Sequence, residues 1–230
     1  QDNYSYLIID KASQSACVID PSEANPIIDF VENNKIKLKY ILNTHHHFDH
    51  IGGNEYLKKK FGSIVVGFKK DMNRIPEIDI LLEDNQIWKA ENFEAKIIHI
   101  PGHTSGHICF HFFQEKLVFT GDTLFSLGCG RIFEGTYKEM FESLNKIKSL
   151  PEETKVYCGH EYTLSNLKFC IKYNPENRNL KKKAENIKKK IDNGLPTIPS
   201  TIKDELECNI FLRANDLDSF SKLRDLKDNF

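Results

Sequence analysis

Thr44-His45-His46-His47-Phe48-Asp49-His50, THHHFDH, is the stretch whose reading decides the fold. It follows the apolar run Lys39–Asn43 (KYILN), strand-sized and rich in residues that favour β-structure. On an extended backbone residues two apart face the same way, so His45 and His47 can serve one centre, while the adjacent Asp49 and His50 point elsewhere. Three more strand-like runs end in similar loops: Ile97–Ile100 leads into PGHTSGH (Pro101–His107), Lys116–Thr120 into GDT (Gly121–Thr123), and Lys155–Cys158 into GHEYT (Gly159–Thr163). In an α/β sheet, loops leaving the carboxyl ends of neighbouring strands converge on one crevice. Convergence here would place His45, His47 and His103 on one ion, Asp49, His50 and His160 on a second, and Asp122 between them. Each ion then has three or four nitrogen and oxygen ligands with room for solvent, the mark of a catalytic rather than a structural site. The remaining histidines, His46, His99, His107 and His111, read as ordinary core or surface residues.

Outward from these loops, the first two-thirds of the chain alternate short β-rich runs (Tyr6–Asp10, Ala16–Asp20, Ile64–Val66, Ile108–Phe112) with helical patterns such as Pro26–Asn33. That alternation predicts an α/β layout. Thr136 and Glu139 have capping-box spacing ahead of Met140, Phe141, Leu144 and Ile147, and Pro151 stops the helix they open. From residue 161 the β-branched runs give way to Lys, Asn and helical spacing, which predicts two units, 1–160 and 161–230. In the second, Leu180, Ala184, Ile187 and Ile191 form one narrow apolar stripe, and the flanking Lys181–Lys183 and Lys188–Lys190 are expected to face solvent. Asn193-Gly194 ends that helix; Ser200 or Thr201 caps a short one, and Asp216–Phe230 reads as the last.

Composition excludes more than it assigns. With 32 Lys and Arg against 33 Asp and Glu the net charge is −1, so nothing favours a nucleic-acid partner. No apolar run approaches the roughly 18 to 20 residues of a membrane span. The six cysteines are scattered, without a Cys-x-x-Cys pair, and are expected as buried, reduced thiols in a reducing compartment such as the cytoplasm. The chain opens on Gln1 with a strand already under way, so an upstream segment, including one that targets an organelle, is an expectation as well.

THHHFDH, PGHTSGH, FTGDTLFSLGCGRIFEGT (Phe119–Thr136) and VYCGHEYT (Val156–Thr163) together resemble the binuclear metallohydrolases of the metallo-β-lactamase superfamily. Among these the chain is most similar to the glyoxalase II, or hydroxyacylglutathione hydrolase, family, and the resemblance runs from QDNYSYLIID (Gln1–Asp10) to LRDLKDNF (Leu223–Phe230). It implies an αββα sandwich followed by a C-terminal α-helical, glutathione-binding domain, and the same ligand division as the spacing. It also implies that Arg131, Tyr162, Arg224 and Lys227 hold the glutathione moiety. Phe133 stands where relatives carry a tyrosine, so one hydroxyl contact is missing, and Arg131 stands where lysine is common, which changes donor geometry.

The implied reaction is hydrolysis of S-2-hydroxyacylglutathione thioesters, S-D-lactoylglutathione to D-lactate and glutathione, the second step of methylglyoxal detoxification. The implied nucleophile is a hydroxide shared by two divalent ions, zinc first with iron or manganese as alternatives, and Asp49 and Asp122 are its catalytic carboxylates. A monomer with a small-molecule substrate and neither nucleic-acid nor membrane partners is expected. The rival reading is a mononuclear iron enzyme like the persulfide dioxygenases, which use part of the ligand set and lack the helical tail.

Overall fold

A computed structural model describes residues 2–230. Strands β1 (Tyr6–Ile9), β2 (Ser15–Ile19), β3 (Lys37–Leu42), β4 (Ile64–Phe68) and β5 (Ile80–Leu82) form a first sheet in that order, antiparallel between β1 and β2 and parallel thereafter. Every residue of β2 is buried, which is why SACVI reads as a continuous run rather than an alternation. Helix α1 (Asn25–Asn33), with proline in its first turn, and helix α3 (Asn54–Phe61) cover one face, packing Ile27, Val31 and Leu57 on Ala16, Val18, Ile41 and Val65. Between β3 and α3 lies the single-turn α2 (Phe48–Ile51).

The second sheet begins as the antiparallel series β6 (Ile87–Ala90), β7 (Phe93–His99), β8 (Ile108–Phe112) and β9 (Leu117–Gly121). After the hairpin of β10 (Leu124–Phe125) and β11 (Gly128–Cys129) and helix α4 (Tyr137–Lys148), β12 (Lys155–Cys158) pairs parallel to β9. Strand β13 (Ser200–Thr201) closes that edge. The two sheets meet face to face through Cys17, Ile19, Leu42 and Val66 from the first and Trp88, Ile97, Phe110 and Phe119 from the second.

The outer face of the second sheet carries α4 together with α5 (Thr163–Tyr173), α6 (Arg178–Asp192), α7 (Ile202–Cys208) and α8 (Leu217–Asp228). There Ile98, Cys109, Val118 and Val156 pack against Met140, Leu144, Leu167, Phe169, Ile187 and Phe220. Each large side chain so buried contributes about 1.5–3 kcal/mol, so a handful from α5 to α8 is enough to fix these helices on the sheet. The result is the expected αββα layering, with the C-terminal helices sharing one core with α4 and lending β13 to the sheet.

The capping box opens α4 as expected: Thr136 Oγ1 accepts from the Glu139 N–H at 3.1 Å, and the Glu139 carboxylate accepts from the Thr136 N–H at 2.8 Å. On α6 the stripe buries Leu180 and Ile187, but Ile191, in the last turn, is 38% exposed, and Lys183 leaves the solvated face to pair with Asp204 at 2.7 Å. All six cysteines are free and buried. The ligand-bearing strands are divided between the sheets, β3 in the first and β7, β9 and β12 in the second. Their carboxyl ends still share a rim, because Thr44 O accepts from the Ile108 N–H across the gap at 2.9 Å. Among the described residues no helix is long and apolar enough to cross a membrane.

Candidate metal centre

The four loops bring all seven expected ligands to that rim. One donor atom from each of His45, His47 and His103 lies within 4.8 Å of the others, and the same holds for Asp49, His50 and His160. Asp122 stands between the two sets: one oxygen is 3.4 Å from His50 Nε2, the other 3.3 Å from His160 Nε2 and 3.5 Å from His103 Nε2. Two glycines make this crowding feasible. Gly121 has φ +46°, and a Cβ there would sit 2.4 Å from Thr44 Oγ1; at Gly159 it would sit 2.2 Å from an Asp122 carboxylate oxygen.

Several ligating atoms are aimed inward without hydrogen bonds: His45 Nε2, His50 Nε2 and Asp122 Oδ1 are buried and make none, the last two facing each other at 3.4 Å. A buried polar atom without a hydrogen bond costs about 1–3 kcal/mol, so His45 Nε2 beside that loosely met pair fits a site built for cations. The opposite ring nitrogens are anchored: His45 Nδ1 is 3.0 Å from Thr44 Oγ1, His103 Nδ1 is 2.9 Å from Arg131 O, and His50 Nδ1 is 3.1 Å from Asp20. Such outer hydrogen bonds fix the orientation of ligand imidazoles.

Electrostatics separates the two sets. Burial lowers His45 well below the ordinary histidine range, His47 to about 4, and His103 in the same direction, so these rings present neutral lone pairs. Burial also opposes the charged forms of His50 and His160, but the carboxylates of Asp122, with Asp20 at His50 and Asp49 at His160, outweigh it; His160 rises to about 9, and His50 is held well above the ordinary histidine range. Asp122 is buried too, yet His50 and His160 hold it well below the carboxylate range. The protonated pair stands where cationic charge belongs, and cation binding would displace those protons.

The centre opens on a cleft of about 640 Å³ lined by His47, Asp49, His103, Asp122 and His160 at one end and Arg131, Tyr162, Arg224, Lys227 and Phe230 at the other. Tyr162 stacks flat on His160 at 4.7 Å between centroids, and burial raises its phenol to about 12, keeping it protonated. Phe133 is 61% exposed and leans its ring on His103 at 5.1 Å. Lys227 lies over Phe169 and Phe230, its pKa lowered by burial and by Arg224 and Arg131. Arg131 is exposed at the mouth. Arg224 differs from a free anion-binding group: it is 3% exposed, donates to Cys129 O at 2.7 Å and pairs with Asp228 at 2.9 Å, so it holds the Cys129–Gly130 loop as well as lining the cleft.

Two residues here were not anticipated. Asp20 accepts from the Thr44 N–H at 2.8 Å, from Thr44 Oγ1 at 2.6 Å, and faces His50. Its signal was available, since Asp20 ends a strand parallel to β3 and therefore reaches the same rim. His107, expected as an ordinary core residue, accepts from the Asp122 N–H through Nε2 at 3.1 Å and stacks on His45 at 4.6 Å. Fully buried and held neutral by that burial, it orients a ligand on each side.

Comparison with known proteins gives this arrangement its relatives. The family profile described as metallo-beta-lactamase superfamily matches residues 2–77 and 73–160, and that of the hydroxyacylglutathione hydrolase C-terminus matches 161–230. A hydroxyacylglutathione hydrolase of Pelagibacter ubique (strain HTCC1062) is 67% identical over 230 residues, 100% of this chain and 96% of that protein. One from Prochlorococcus marinus (strain MIT 9301) is 44% identical over 229 residues, covering 99% and 92%. Among solved structures, ETHE1 from Myxococcus xanthus superposes with a TM-score of 0.74 at 23% identity, covering 97% of this chain and 85% of that one. BLEG-1 B3 metallo-beta-lactamase gives 0.72 at 23%, covering 92% and 95%. At such identities these two likenesses show the fold alone.

Proposed function

This chain belongs to the hydroxyacylglutathione hydrolases of the metallo-β-lactamase superfamily, and from that premise we propose that it hydrolyses S-2-hydroxyacylglutathione thioesters, S-D-lactoylglutathione foremost, at a centre for two divalent ions. The observation that carries the reading is one cleft that reaches two three-ligand sets through His47, His103, Asp49, His160 and the Asp122 between them, and that is lined also by Arg131, Tyr162, Arg224 and Lys227.

His45, His47 and His103 would hold one ion, Asp49, His50 and His160 the second, and Asp122 both. Mixed imidazole and carboxylate donors suit zinc, and also iron or manganese. Bound there, divalent ions would supply an acidified water near neutral pH and a Lewis acid for the thioester carbonyl. The protein's own side chains do the rest. Asp122 would supply the shared negative charge, and Asp49 would offer a carboxylate oxygen to orient the water. Residues 161–230 with the Arg131 loop bind glutathione: Arg131 and Lys227 face its carboxylates, Arg224 shapes the loop beneath them, and Tyr162 donates its hydroxyl. Phe133 contributes a ring face and no hydrogen bond. The departing thiol has an ordinary pKa near 8.5, so no protein acid is needed to expel it.

The test is an anaerobic assay of the purified, metal-loaded chain. Thiol should appear in step with D-lactate from S-D-lactoylglutathione, and the D-lactoyl thioester of a small uncharged thiol should react with a much lower kcat/KM. A requirement for oxygen, or equal efficiency on both thioesters, would contradict the proposal.

A further inference from the structure

The two ligand sets are secured differently. His45 and His103 are anchored from within their own rim, by Thr44 and the Arg131 carbonyl. In the second set His50 is held by Asp20, whereas Asp49 and His160 rely on residues more than forty positions away. Asn3 pairs antiparallel with His160, the Tyr4 N–H donates to Gly159 O at 2.8 Å, and the Glu161 N–H donates to Asp2 O at 3.0 Å. From that short ladder the Asn3 amide reaches across to Asp49, donating to its backbone carbonyl and to carboxylate Oδ2, each at 3.0 Å. The same Oδ2 lies 3.4 Å from His160 Nε2 and 3.8 Å from His50 Nε2, so the oxygen that Asn3 grips is the one aimed at the second set.

Asp49 needs such a hold. It sits on a helix of one turn, its side chain is 36% exposed, and among the described residues only Asn3 and the two histidines come within hydrogen-bond or ion-pair reach of its carboxylate. A carboxylate oxygen has two lone pairs, so one can accept the amide N–H while the other remains for a cation.

We propose that Asn3 is a positioning residue for the second ion: the segment Asp2–Tyr4 clasps Asp49 and His160 together, and the Asn3 amide fixes the Asp49 carboxylate in its ligating orientation. The inference rests on the ligand division proposed above and adds that the two ions differ in what secures them.

The experiment is a titration of metal-free protein with cobalt(II), read by visible absorption and elemental analysis, for the wild type, Asn3→Ala, the nearly isosteric Asn3→Leu, and Tyr4→Phe. Loss of an outer partner of a ligand typically weakens metal binding 10–100-fold. Both Asn3 variants should keep the first binding constant and bind the second ion about 10–100-fold more weakly, with the melting temperature of the metal-free protein unchanged. Tyr4→Phe should bind both ions as the wild type does, because the Tyr4 hydroxyl reaches Glu161, which is no ligand. An unchanged second constant in the Asn3 variants, equal weakening of both ions, or the same loss in Tyr4→Phe would overturn the assignment. A wild type that binds one ion only would instead overturn the ligand division itself. Should Asn3→Ala fail to fold, Asn3→Leu, which keeps the size and removes only the amide, decides.

Discussion

Glu205→Gln perturbs a carboxylate buried far from any ligand, on α7. Its Oε2 accepts from the Leu127 N–H at 2.8 Å and from Asn209 Nδ2 at 2.9 Å, clamping the β10–β11 turn in which Leu127 holds φ +59°, while Oε1 is buried without a hydrogen bond. Burial is the larger influence and pushes the carboxyl up from 4.5 to about 7 despite those donors. The folded chain therefore keeps this proton between pH 4.5 and 7, where the unfolded chain has lost it. The contribution to stability is complete below the lower value and disappears as pH climbs through the upper one. At 1.36 kcal/mol per pKa unit, the change is about 3 kcal/mol, or on the order of 6–12 °C in melting temperature for a chain of this size.

Glutamine keeps a carbonyl for Leu127 and Asn209 but carries no charge at any pH. Urea unfolding of metal-free protein from pH 4.5 to 8 should show the variant gaining on the wild type by about 3 kcal/mol as pH rises, with the gain concentrated between the two pKa values. A difference independent of pH would refute the reasoning, since it would mean that Glu205 is ionised throughout.

Other substitutions probe the centre and the cleft separately. Asp20→Asn should leave the fold intact and weaken metal binding about tenfold or more, measured by competition with a chelator, because His50 loses the charged partner on its Nδ1. Gly159→Ala should cost metal and activity together, since the added carbon falls 2.2 Å from an Asp122 oxygen; full occupancy by elemental analysis would show that the loop can give way. Lys227→Met keeps the stem over Phe169 and Phe230 and removes the charge. It should raise KM for glutathione thioesters with little change in kcat, and an equal loss on a small thioester would count against a role in binding glutathione.

The ligand loops were legible because each is a dense polar motif at the end of an apolar run, and strand ends in such folds gather at one rim. The division of those strands between two sheets was not, since β5, β6, β10 and β13 are two to four residues long and carry no periodicity to read. His107 sits four residues after His103 in the same loop, and its part emerged only when β8 placed it behind Asp122. Arg224 shows the other limit: the α8 sequence gives a cation four residues from an aspartate, and the docking of that helix decides that the guanidinium is buried against Cys129 O.

Metal content and turnover measured on one sample test the central claim most directly. The chain should carry two divalent ions, lose thioester hydrolysis as a chelator removes them, and recover it on reloading. Undiminished hydrolysis by metal-free protein, or a full rate with a single ion bound, would contradict a two-ion centre held by these seven side chains.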